Sequence, residues 1–153
     1  MRTYTRQRNR AFADVCLRMA ENEARHGRRV DVDVIVRRAI YTRAAGFYLS
    51  YERALRLIYN GSGAHLREDG IENSRAQALR RQVEQYRAAH PRASLPTAVA
   101  AVLTDSAAPR YYFRADRGRR ILADEVRRRM REDTIPMSAG TLAIILALRL
   151  KTG

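Results

Sequence analysis

Two stretches of this chain read alike at a fixed distance of 64 residues, and that recurrence limits the fold more than any single motif does. "AGFYLSYERALRLI" covers residues 45–58 and "APRYYFRADRGRRIL" covers 108–122. At this offset Phe47-Tyr48-Leu49 falls on Tyr111-Tyr112-Phe113, and Glu52-Arg53-Ala54 on Asp116-Arg117-Gly118. Arg56-Leu57-Ile58 falls on Arg120-Ile121-Leu122, and His26-Gly27-Arg28 on His90-Pro91-Arg92. Several separate blocks sharing one offset point to a duplicated unit of about sixty residues. A fainter third echo starts at Ser138-Ala139-Gly140-Thr141, which resembles Ser94-Leu95-Pro96-Thr97.

Each unit reads as successive helices. Phe12, Val15, Cys16, Met19 and Ala20 recur on one helical face within residues 7–25, and His26-Gly27 supplies the stop. "VDVDVIVRRAIYT" alternates like a strand at 30–34, but Asp33 as a cap before Val36, Ala39 and Ile40 favours a short helix. Ser50 is an N-cap, with Glu52 in the first turn and Tyr51, Ala54, Leu55 and Ile58 in period until Asn60-Gly61. The second half replays this order. A helix capped by Asn73 or Ser74 carries Leu79, Val83 and Tyr86 as far as His90-Pro91. Ser94 then caps a short helix with Pro96 in its first turn, and a longer helix spans 115–132.

The expected fold is all-α: a short-helix bundle of two tandem related helix-turn-helix-like units, followed by an apolar helix at 141–150. Residues 1–60 form the first unit, 61–73 a glycine-rich linker and 74–153 the second unit. The opening "MRTYTRQRNR" has four arginines and no acid, and reads equally as a basic N-terminal arm or as the start of a helix.

Charge narrows the function. Thirty basic residues against sixteen acidic ones give +14, an excess that favours an anionic partner and above all nucleic acid. All the basic residues but Lys151 are arginine, which suggests a coding bias, so the choice of Arg over Lys carries no chemical meaning. In 115–132, Arg117, Arg120, Arg127 and Arg131 fall on one face with Arg128 alongside, opposite Ile121, Leu122, Val126 and Met130. Such a stripe suits a phosphate backbone or the guanine edges of a major groove. Arg114 precedes it, and Arg53 and Arg56 are the weaker equivalents in the first unit. A charged stripe is also what any solvated helix face looks like. The aromatic pairs 47–48 and 111–112 could stack on unpaired bases, but core or staple packing is the stronger reading.

No catalytic constellation stands out, and no cofactor or small-molecule substrate is indicated. The single Cys16 and three scattered histidines supply no zinc spacing, and no phosphate-loop or nucleophile-elbow motif is present. The ten-residue apolar run near the end is too short to span a membrane, and no signal-peptide pattern opens the chain, which fits a cytoplasmic protein. The sequence therefore points to a non-catalytic nucleic-acid-binding protein, with duplex DNA as partner. An RNA, or an acidic protein meeting the basic surface of a structural or interaction protein, is the alternative. Leu142, Ile144, Ile145, Leu146, Leu148 and Leu150 leave helix 141–150 apolar nearly all round, so it is expected in the core or in a homodimer interface.

Overall fold

The helical period around Phe12 and Cys16 reaches almost to the N-terminus. In the computed structural model, which describes residues 3–59 and 70–150, α1 runs Thr3–Arg25. The basic segment 3–10 is thus the first turns of that helix. α2 is Val32–Ile40, α3 Tyr51–Tyr59, α4 Ile71–Ala89, α5 Leu95–Asp105, α6 Ala115–Arg131 and α7 Ala139–Ala147. The described residues are all-α, with no strand and one isolated antiparallel bridge, Ala44 to Ala108. Residues 60–69, which include 61–69 of the expected linker, lie outside the described residues.

Local chemistry fixes most helix ends. Ser50, Ser94 and Ser138 each accept the backbone N–H three residues on with their hydroxyls, at 3.2, 3.3 and 3.3 Å. At the other ends, Gly27, Asp133 and Arg149 take positive φ of 67, 53 and 55°. Each closes a paired cap that returns N–H groups to the last turn, as in Arg28 N–H to Glu23 O (2.9 Å) and Leu150 N–H to Ile145 O (3.1 Å). His26 and His90 place Nδ1 on the carbonyls of Asn22 and Tyr86, at 2.7 and 3.0 Å.

Three expected boundaries move. Asp31, not Asp33, caps α2, because its carboxylate reaches the N–H groups of both Asp33 (3.0 Å) and Val34 (3.2 Å). α4 starts from Gly70 and not from Asn73 or Ser74, which lie inside its first turn, Asn73 buried. The apolar C-terminal helix is 139–147 rather than 141–150, because Ser138 caps it early and the left-handed Arg149 closes it.

Contacts gather the helices into two units. The first holds residues 1–41 and 113–153, with α1 packed on α2, α6 and α7, and α2 also on α6. Its buried centre includes Phe12, Cys16, Ile35, Val36, Leu122, Val126, Ile144 and Ile145. Phe113 meets Phe12 edge to face at 4.7 Å, and the Arg8 guanidinium lies 5.2 Å from the Phe113 ring centre. Gly118 sits mid-helix in α6, where glycine costs about 1 kcal/mol relative to alanine. Its neighbours account for it: an added Cβ would lie 2.9 Å from Val36 and 3.2 Å from both Phe12 and Phe113.

The second unit holds residues 42–112, in which α3, α4 and α5 pack on one another around Ala54, Leu79, Val83, Val99 and Val102. Ala44 and Ala108 exchange both backbone hydrogen bonds, at 2.9 and 3.0 Å. Beside this bridge Phe47 stacks on Tyr112 and Tyr48 on Tyr111, with ring centres 6.2 and 6.3 Å apart. Phe47, Tyr111 and Tyr112 are buried, as the core reading of the aromatic pairs expects. Tyr48 holds a φ of 54°, a left-handed conformation that costs an L-residue about 1–2 kcal/mol.

Candidate nucleic-acid interface

Among the described helices, α6 carries the largest excess of arginine over carboxylate. Its sequence supplies seven arginines and only three carboxylates within the helix, and a 100° turn per residue separates them into groups with different partners. Gly118, Ile121, Leu122, Glu125 and Val126 are buried. Arg117, Arg120, Arg127 and Arg131 are exposed together with Asp116 and Asp124, so the predicted stripe does face solvent.

Arg120 and Arg127 are loosely engaged along that face, with Asp116 at 3.8 Å and Asp124 at 3.1 Å. Exposed pairs of this kind contribute about 0.2–1 kcal/mol, little enough for a phosphate to displace the carboxylate. Arg114 and Arg117 at the start of the helix, and Arg131 at its end, form no ion pair among the described residues. Arg128 is held differently: its two terminal nitrogens sit 2.7 Å from Glu125 and 2.7 Å from Glu132, which raise its already high proton affinity. It borders the stripe with its charge already matched.

Two arginines of α6 that the stripe leaves out reach carboxylates on other helices, Arg119 from a partly exposed position and Arg129 from a largely buried one. Arg119 meets Asp33 of α2 at 2.7 Å. Arg129 meets Asp14 of α1 at 2.8 Å, donates to the Arg10 carbonyl at 3.2 Å and lies 3.6 Å from the buried Glu125. Periodicity alone marks both as off the stripe, and their partners lie 86 and 115 residues away in the chain.

Arg53 and Arg56, the weaker equivalents from the first sequence repeat, fall in the 42–112 unit and are both exposed on α3. Arg53 is bonded to Glu72 at 3.1 Å, and Arg56 pairs with no carboxylate among the described residues. The charge follows the same division. The first unit's sequence holds twenty basic and ten acidic residues (+10), the second ten and six (+4).

Other chemistry is sparse. Among the described residues no three His, Cys, Asp or Glu side chains gather where they could hold a metal ion. No described helix is long and apolar enough to cross a membrane. Burial pushes the Cys16 thiol up to about 12, far from a nucleophile's range. No family model matches the chain, and neither the curated proteins nor the solved structures contain a match to it.

Proposed function

We propose that this protein binds nucleic acid without catalysis, with duplex DNA lying against the exposed arginine face of α6. The observation that carries this reading is the solvent-facing group Arg117, Arg120, Arg127 and Arg131, flanked by Arg114, in the unit that bears +10 of the net charge. Side chains with weak or no carboxylate partners can exchange into phosphate contacts at little cost, and every such contact releases a condensed counterion. Arg53 and Arg56 on α3 form the lesser contact, and Arg128 contributes to the field while staying with its glutamates.

The same reading treats the chain as two related helix-turn-helix-like copies, α1–α2–α3 and α4–α5–α6. Their spacing supports this: α1 and α4 end at Arg25 and Ala89, and α3 and α6 begin at Tyr51 and Ala115, each pair 64 residues apart. The third helices are exchanged, since α6 packs with α1 and α2 while α3 packs with α4 and α5.

The test is fluorescence anisotropy with mixed-sequence duplex DNA, single-stranded DNA and duplex RNA between about 50 and 200 mM salt. The quadruple change of Arg117, Arg120, Arg127 and Arg131 to Gln should lower the salt slope for duplex DNA by up to about 3.6, at about 0.9 per lost phosphate contact. Arg53→Gln with Arg56→Gln should lower it less. An unchanged affinity and slope in the quadruple variant, with the helix content intact, refutes the interface. A tighter complex with either other polymer reassigns the partner.

One observation favours an interaction protein instead. Leu142 and Leu146, one turn apart on α7, are 42% and 76% exposed. Under that second reading none of the three polymers binds, and light scattering gives the mass of a dimer joined through this face.

A further inference from the structure

The second unit carries an open cleft of about 590 Å³ between α4 and the end of α5. Arg43, Arg81, Gln82, Gln85, Asp105 and Ser106 supply its polar lining. Arg43 and Arg81 share the cleft with Asp105, yet neither forms an ion pair with it or with any other carboxylate among the described residues. Within the wall the Gln82 amide donates to the Ala107 carbonyl at 2.9 Å. Burial raises the nearby Tyr112 phenol while Arg110, Arg75 and Arg81 oppose the rise, so the positive field extends beyond the two lining arginines.

This lining selects a ligand with two different ends. Two uncommitted guanidiniums call for an oxyanion, and phosphate offers them bidentate geometry. A bare oxyanion would leave Asp105 facing a like charge and most of the volume empty. Asp105 is the last residue of α5, where unsatisfied carbonyls add negative potential, so that end calls for hydrogen-bond donors. Gln85 can both donate and accept beside it. The volume falls within the ~300–1,000 Å³ of small-molecule sites. The geometry points to a site for a nucleoside monophosphate, its phosphate between Arg43 and Arg81 and its base edge on Asp105 and Gln85. The unit occurs either as a free nucleotide or as an unpaired nucleotide within a strand. This inference uses none of the α6 arginines and goes beyond the duplex-binding reading.

The experiment is calorimetric titration of the full chain with AMP, CMP, GMP and UMP, beside adenosine and inorganic phosphate. Saturable binding of at least one nucleotide is expected, weakened at least tenfold by Arg43→Gln with Arg81→Gln and untouched by the quadruple α6 variant. Asp105→Asn should reorder the four nucleotides. A duplex with one unpaired nucleotide, compared with its fully paired form, separates the sources. A preference for the unpaired form that vanishes in the Arg43/Arg81 variant identifies the strand, and nucleotide binding without that preference identifies the free ligand. Far-UV melts of the variants should match wild type, since both arginines lack ion-pair partners among the described residues. Absence of saturable nucleotide binding, equal binding of inorganic phosphate, or nucleotide affinity unaltered in a folded Arg43/Arg81 variant overturns the site.

Discussion

Replacing Gly140 by alanine would drive a methyl group into the backbone of α1. The new Cβ would lie 2.4 Å from the Glu21 nitrogen, 2.5 Å from its Cα and 2.7 Å from the Ala20 carbonyl carbon. Carbon contacts are comfortable at about 3.5–4.0 Å, and a helix backbone cannot rotate aside as a side chain can. α7 must therefore retreat by roughly an ångström, given that spacing. Retreat stretches the bond from Gly140 N–H to the Glu21 carboxylate, now 3.0 Å. It also opens a gap beneath the buried Ile144 and Ile145, and a gap of 0.5–1 Å forfeits about a quarter to a half of each contact's attraction. Alanine returns at most about 1 kcal/mol of helix propensity. The net cost is about 2–3 kcal/mol, within the ~1–3 kcal/mol of overpacked cores. At roughly 2–4 °C per kcal/mol for a chain of this length, Tm should fall by about 4–12 °C in a far-UV melt. Gly46→Ala is the control. Nothing lies within 4 Å of its added Cβ and its φ is not left-handed, so it should stabilise by about 0.4–1 kcal/mol. A Gly140→Ala protein melting at or above wild type would refute the close approach of α7 to α1.

Cys16, fully buried, should resist a thiol reagent at pH 8. Its thiol pushed up to about 12 from 9.0 lowers the thiolate fraction about 1,000-fold, and urea should restore rapid reaction. The sign for stability follows: the folded state keeps a proton that the unfolded state releases, so the contribution is complete below about pH 9 and declines by about 1.4 kcal/mol per pH unit up to about 12. A denaturation series showing stability rising over that window would contradict the burial. Arg129→Ala should cost about 2 kcal/mol in urea denaturation, because it removes the tie to Asp14 and one of two guanidiniums beside Glu125, which is only 6% exposed. A change below about 0.5 kcal/mol, the size usual for surface substitutions, would make that ion pair mere surface.

The amino-acid sequence by itself determined where helices occur and how most of them end. These are contests settled within four or five residues: Ser50, Ser94 and Ser138 cap their own helices, Gly27 turns the chain, and Pro96 sits where its missing N–H is harmless. The stripe on α6 was readable for the same reason, since one helix's angular spacing decides which side chains share a face. It could not tell Asp31 from Asp33 as the cap of α2, because two carboxylates two residues apart offer the same local chemistry. Only the tertiary structure separated the arginines of α6 that reach carboxylates on other helices from those that do not, because Asp33 and Asp14 arrive from α2 and α1. It alone gave a reason for Gly118 and Gly140, which look like weak points in a helix until Val36, Phe12 and the backbone at Glu21 close on them. The cleft was invisible for the same reason. Arg43 follows α2, Arg81 stands on α4 and Asp105 ends α5, and no periodicity links three residues that line one cleft only after α4 and α5 have packed.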